Sequence, residues 1–184
     1  MTSNRVFASK QKGFSNIQIM LGVLISAIML LGGLEMYHWV DQAKIDADIR
    51  DLTEYKKKTK SLAARDTTFA GVNHEVLIDM DFFGFASVIG QPGSPRVVAN
   101  RWGGSIYSSV GSYRTPNDSL LFTFSGVPSK ACKQLGLQAA SLADAIQVSG
   151  TWVKWGANPA DEQQLIVTCD SNPGNAAITF FFSK

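Results

Sequence analysis

The chain has 184 residues, enough for one globular domain of ordinary size beside an N-terminal helix. Its 17 basic and 15 acidic side chains sum to +2, but Arg5, Lys10 and Lys12 lie in the first thirteen residues, leaving 14 against 15, or −1, for the rest. That balance is no argument for nucleic-acid binding, and two cysteines without paired spacing, Cys132 and Cys169, make a poor zinc site.

The first element in the chain is the uncharged run from Phe14 to Leu34, FSNIQIMLGVLISAIMLLGGL. As a helix it would extend roughly 31 Å, about the hydrocarbon thickness of a bilayer, and it reads as one membrane-spanning segment. Glu35, Met36, Tyr37, His38 and Trp39 follow it, a poor site for signal peptidase. The basic leader MTSNRVFASKQKG before it and the acid-rich segment after it orient the N-terminus toward the cytoplasm. Three readings stand: a secretory signal, a plain anchor, and an anchor whose leader is removed at the Gly13–Phe14 bond. Cys132 and Cys169 fall on the non-cytoplasmic side. In an oxidising compartment an even pair is read as a bridge, worth roughly 3 to 4 kcal/mol in the chain-entropy description, the alternative being two buried thiols.

A basic leader, Gly13 at the junction, hydrophobic Phe14, about twenty uncharged residues and then an amphipathic helix resemble the class III signal of type IV pilins. The resemblance implies that a prepilin peptidase cuts after Gly13 on the cytoplasmic face and methylates the new N-terminus at Phe14. It also implies insertion of the precursor in a bacterial inner membrane, then assembly by a separate ATPase and membrane platform into a homo-oligomeric helical filament at the cell surface. The family usually carries glutamate at the fifth mature position, where this chain has Gln18. Glutamine accepts a hydrogen bond but cannot neutralise a buried ammonium, which suits a minor or tip subunit better than a major one.

From Glu35 to Arg65 no proline or glycine occurs, and Ile45, Ile49, Leu52, Tyr55, Thr59 and Ala63 recur near helical spacing. The helix is therefore expected from Phe14 to Arg65, with Gly22 and Gly32–Gly33 as points where it could bend, and with Asp41, Lys44, Asp46, Asp48, Arg50 and Asp51 on a solvated face. Lys56, Lys57, Lys58 and Lys60 read as a solvated helix end. Residues 66–184 form the expected head. Within it, EVLIDMDFFGF predicts a short strand or helical turn packed on the long helix, and Gln91 to Pro95 an exposed loop. NRWGGSI, Asn100 to Ile106, resembles the tryptophan-glycine-glycine turn of type IVb pilins of the conjugative thin-pilus and toxin-coregulated kinds.

Ser105–Tyr113 and Leu120–Ser125 are strand-like around TPND, Pro128 opens a helix from Ser129 to about Leu142, and Ala145–Val148 pairs with Thr151–Trp155 around Ser149–Gly150. NPADEQQ reads as a polar loop. LIVTC, Leu165 to Cys169, reads as a strand; it and the final apolar strand Ala176–Phe182 flank the turn cluster DSNPGN, and both faces of that last strand should be covered. The class is α+β, a long N-terminal helix packed on an antiparallel sheet. The family plan adds that the cysteine pair closes a variable surface region.

A search for catalytic chemistry finds no GxxxxGK[ST], HExxH or GxSxG. His38 reads as part of an interfacial aromatic belt and His74 as a loop or core histidine. The sequon Asn117-Asp118-Ser119 reads as an exposed turn. The expectation is a type IVb prepilin with no catalytic, metal or cofactor site and no direct nucleic-acid binding, serving adhesion, aggregation or conjugation. A minor pilin, a secretion-system pseudopilin and an uncleaved periplasmic binding protein are the alternatives.

Overall fold

A computed structural model describes residues 16–65, 68–84, 87–91 and 93–184, with side chains described at Val23 and from Val40 onward except Ser87. Two compact units part between Val40 and Asp41. The first contributes backbone that is helical from Asn16, passing through Gly22, Gly32 and Gly33, as part of helix α1 (Asn16–Ala63).

In the second unit α1 buries a stripe made of Ile45, Asp48, Leu52, Tyr55 and Thr59, at the three- and four-residue spacing of one helix face. The helix stops two residues short of the expected Arg65, with Ala64 N–H still reaching the Lys60 carbonyl. Helix α2 (His74–Asp79) follows, capped by Asn73, whose side chain accepts from Val76 N–H. Beyond it lies a small hairpin, β1 (Ser87–Ile89) and β2 (Val97–Ala99), with exposed Gln91, Gly93, Ser94 and Pro95 of the expected loop between the strands. Arg96 holds that hairpin to α2, donating to Glu75 and Asp79 at 2.6 Å each.

The remaining elements are β3 (Ser105–Gly111), β4 (Ser119–Val127), α3 (Ser129–Ala139), β5 (Ala145–Val148), β6 (Thr151–Trp155), α4 (Glu162–Asp170) and β7 (Ala176–Ser183). Among the described residues the strands make one seven-stranded sheet in the order β1-β2-β3-β4-β7-β5-β6, antiparallel at every pairing. The C-terminal strand β7 is thus central, between β4 and β5. The α+β class read from the sequence is the architecture observed.

Alternation in β4 and β7 sends Leu120, Phe122, Phe124, Ile178, Phe180 and Phe182 to the inner face, where they meet Ile45, Leu52 and Tyr55 of α1. Tyr55 stacks on Phe122 at 4.8 Å, and Phe82 from the segment after α2 stacks on Phe122 at 5.5 Å. Each such ring buried contributes on the order of 1.5 to 3 kcal/mol. Phe181 on the opposite face is also covered, so residues 180–182 are buried on both sides, as the unbroken apolar run demands.

One expected strand is a helix. LIVTC lies in α4, because Asp161 accepts from Gln164 N–H as an N-cap, and Leu165, Thr168 and Cys169 then share one buried face while Ile166 and Val167 face outward. Helix α3 also ends at Ala139, before the expected Leu142. The β5–β6 turn keeps the expected Ser149–Gly150 centre, both at positive φ, the arrangement of a tight hairpin turn.

The β3–β4 loop is organised by Asp118, buried behind its exposed neighbour Asn117. Its carboxylate accepts from the N–H groups of Tyr113, Arg114 and Thr115 at 2.6, 2.9 and 2.7 Å. Burial alone would raise its pKa, but these bonds outweigh it and hold the carboxyl below its usual range. A depressed folded value contributes stability above the unfolded pKa of about 3.9 and loses it as pH falls through the folded value. Asp118→Asn should therefore destabilise the head by about 1 to 2 kcal/mol at pH 7, a gap that narrows below about pH 3.9, measured by urea unfolding across pH.

Candidate functional site

The predicted processing residues Gly13 and Phe14 lie outside the described residues. Gln18 lies within the backbone of α1, its side chain undescribed. Among the described residues, no helix is long and apolar enough to cross a membrane; of the run Phe14–Leu34, only Val23 has a described side chain.

Two arrangements distinguish the head chemically. The first fastens α1 to the sheet. Asp48 is fully buried, contrary to the solvated position its charge suggested, because it falls on the stripe between Ile45 and Leu52. Its two carboxylate oxygens accept from Arg101 Nη1 and Trp102 Nε1, each at 2.7 Å, and Arg101 Nη1 also donates to Asp51 at 2.7 Å. Desolvation pushes the Asp48 carboxyl above its ordinary value, against the lowering effect of the bonds from Trp102 and Arg101. Burial works against the Arg101 cation, but its bonds to Asp51 and Asp48 prevail and raise it.

The turn that presents Arg101 and Trp102 is built by Asn100. Its Oδ1 accepts from Trp102 N–H and Gly104 N–H, both at 2.9 Å, while its Nδ2 donates to the Ser125 carbonyl at 2.6 Å. A Cβ on Gly104 would run into the Ser125 carbonyl oxygen, so NRWGGS needs glycine there for close approach to β4.

The second arrangement is the pair of helices α3 and α4. The structure joins Cys132 and Cys169, 37 residues apart, in a disulfide with both residues buried. A Cβ on Gly136 would come within 2.8 Å of the Leu165 side chain, which marks how closely the helices pack. At the outer end Asp170 accepts from Ser129 and Lys133, at 2.5 and 2.6 Å, and these bonds hold its carboxyl low.

The lysines from 56 to 60 are not simply a solvated helix end. Lys56 Nζ donates to the Leu142 carbonyl at 2.6 Å, and Lys58 Nζ donates to the Asp81 and Phe82 carbonyls. An open cavity near Lys56 is also lined by Lys154, but the Lys154 ammonium already donates to the carbonyls of Ala143, Asp144 and Gly156. Both cations are engaged by backbone, so the cavity is a weak anion receptor. His74 is buried with Nδ1 2.8 Å from the Ser108 hydroxyl, and burial lowers its pKa. Among the described residues no group of three or more His, Cys, Asp or Glu is placed to hold a metal ion.

A long helix fastened by a polar clasp to an antiparallel sheet, with a disulfide-closed segment before the last strand, can be set beside known proteins. The family described as PilS N terminal matches residues 42–183. The chain belongs to this family of type IVb pilins. The crystal structure of a type IVb pilin from Salmonella typhi is similar to this pilin with a TM-score of 0.57 at 16% identity, over 76% of this chain and 99% of that one. The NMR structure of the type IVb pilin PilS from Salmonella typhi aligns at a TM-score of 0.40 and 14% identity, over 70% and 92%. At such identity the crystal structure supports the type IV pilin fold, and no curated sequence matches the chain.

Periodicity could have placed Asp48, since its position on the stripe is visible in the sequence even though its charge argues otherwise. Nothing in the sequence pairs it with Arg101 and Trp102, which lie 53 and 54 residues away. Asp48→Ala, which leaves Arg101 half-paired in a partly buried site, should destabilise the head by about 3 kcal/mol in urea unfolding. Cys132→Ser with Cys169→Ser should cost about 4 kcal/mol by the same measurement, matched by reduction of the wild-type chain.

Proposed function

We propose that this chain is a prepilin, a structural subunit cut after Gly13 and polymerised through its N-terminal helix into a surface filament. The observation that carries the reading is the family match over 42–183, joined to a sequence that places a basic leader and an uncharged run directly ahead of the matched region. Before assembly the run Phe14–Leu34 holds the precursor in the inner membrane with the head outside the cytoplasm. In the filament the same run packs against its copies. Leaving lipid for a protein core yields little hydrophobic free energy, because both surroundings are apolar, so packing and a separate ATP-driven machine supply the remainder.

Processing at Gly13–Phe14 and methylation of Phe14 belong to this reading, as do the prepilin peptidase, the assembly ATPase and its membrane platform. The filament would serve adhesion, aggregation or conjugation through the exposed surface of the head. Gln18 favours a second reading within the same class, a minor or tip subunit, because an amide leaves a neighbour's N-terminal ammonium without a counter-charge.

Intact mass of the membrane-extracted chain, expressed with and without a prepilin peptidase, tests the processing step. Loss of residues 1–13 only when the peptidase is present supports it, and Gly13→Ser should abolish the loss; full-length protein under both conditions overturns it. Quantifying the mature chain in sheared filaments then separates a major from a minor subunit.

A further inference from the structure

The face of the sheet turned away from α1 carries an aromatic strip with a definite construction. Trp152 and Trp155 of β6 are three residues apart and would point to opposite faces of a regular strand. The β5–β6 register shifts, however: Ile146 opposes Lys154 and Gln147 opposes Trp152, which leaves Val153 unpaired as a bulge. The bulge turns Val153 and Lys154 inward and both tryptophans outward, 42% and 43% exposed. Their rings meet edge to face at 4.5 Å, Trp155 rests on Tyr113 at 4.7 Å and Trp152 on Phe181 at 5.0 Å. Packing therefore holds both indoles in place before any ligand arrives.

Strand registers extend the strip across the sheet. Trp152 opposes Gln147, Gln147 opposes Thr179, Thr179 opposes Thr123, and Thr123 opposes Tyr107, so these five side chains form one rung across five strands. Gln147, Thr179 and Thr123 are half-buried, the two threonine hydroxyls lie 2.9 Å apart, and Tyr107 at the far end is exposed. The rung contains no charged side chain. With strands about 4.8 Å apart, it spans roughly 19 Å.

We propose that this strip binds a neutral, extended oligosaccharide lying across the strands. The strand spacing is close to the advance of one sugar unit along an extended chain, so successive units fall over successive strands. Indole and phenol faces at the two ends take the apolar C–H faces of the sugar, while the amide and hydroxyls between them exchange hydrogen bonds with its hydroxyls. A charged ligand finds no counter-ion in the rung, and a second copy docked flat on it would leave the Gln147 amide short of partners, whereas the two threonine hydroxyls already pair with each other. The site lies wholly in the head and does not depend on polymerisation.

The test uses the full chain in a sugar-free zwitterionic detergent, titrated with malto-, cello- and chito-oligosaccharides of two to six units and followed by tryptophan fluorescence and saturation-transfer NMR. One series should bind, with affinity rising by about tenfold from two units to four and then levelling off. Trp152→Ala and Trp155→Ala should each weaken that binding by about tenfold, and Gln147→Ala, at a half-exposed position, by several-fold with unchanged urea unfolding. Failure of all three series, binding without length dependence, or binding indifferent to the three variants overturns the proposal. So does a wild-type chain that binds no sugar but loses head-to-head cross-linking on Trp152→Ala, which would assign the face to a second copy.

Discussion

A buried carboxylate on the long helix is the constraint around which the head is arranged. Asp48 has no exposed surface, and an isolated carboxylate in that position would be prohibitively costly. It is tolerated because Arg101 and Trp102 fill both of its oxygens. Those two residues reach it only because Asn100 and Gly104 fold their turn tightly against β4. Desolvation keeps its pKa above the ordinary carboxylate value despite those bonds, while the same bonds raise that of Arg101. The clasp and the Tyr55 ring packed on Phe122 together hold the helix to the sheet.

The same logic shows why some elements were legible in the sequence and others were not. The α1 stripe, the β3–β4 and β5–β6 hairpins, the start of α3 and the final strand all follow from local periodicity and turn chemistry. The charge of Asp48 argues for solvent, while its position among Ile45, Leu52 and Tyr55 argues for the burial that is observed. LIVTC was misread as a strand because Ile166, Val167 and Thr168 are β-branched. The competing signal was local: Asp161 followed three residues later by Gln164 is a capping-box pattern, and tertiary burial of Leu165 and Cys169 completed the helix. Lys56 and Lys58 looked like solvent-facing cations, but their carbonyl partners at Leu142, Asp81 and Phe82 are distant in sequence. Polar contacts between residues distant in sequence leave no local pattern to read.

The placement of β7 binds the rest of the head into one cooperative object. It pairs with β4 on one side and β5 on the other, so the strands on either side of the sheet do not join until the last residues of the chain are in place. The segment from Cys132 to Cys169 contains β5 and β6 and is therefore restrained twice, by the disulfide at its ends and by the pairing of β5 with β7. Such pairings are remote in sequence and carry a loop-closure cost that local turns avoid. The disulfide reduces that cost for one segment.

These restraints divide the sheet into two faces with different obligations. The inner face must be filled by large apolar side chains because α1 lies on it, and Phe122, Phe124, Phe180 and Phe182 meet that need with no freedom to change size. The outer face carries a smaller buried cluster of Tyr113, Ala145 and Phe181, beside which Thr123, Thr179 and Gln147 stand half-exposed. A single inserted residue at Val153 alters the outer face at β6 while keeping Val153 and Lys154 within the interior. The bulge thus re-aims two tryptophans without disturbing the core that holds the helix. The inner surface is committed to the helix, while on the outer face the two tryptophans rest on the small cluster of Tyr113 and Phe181 and leave their remaining surface to solvent.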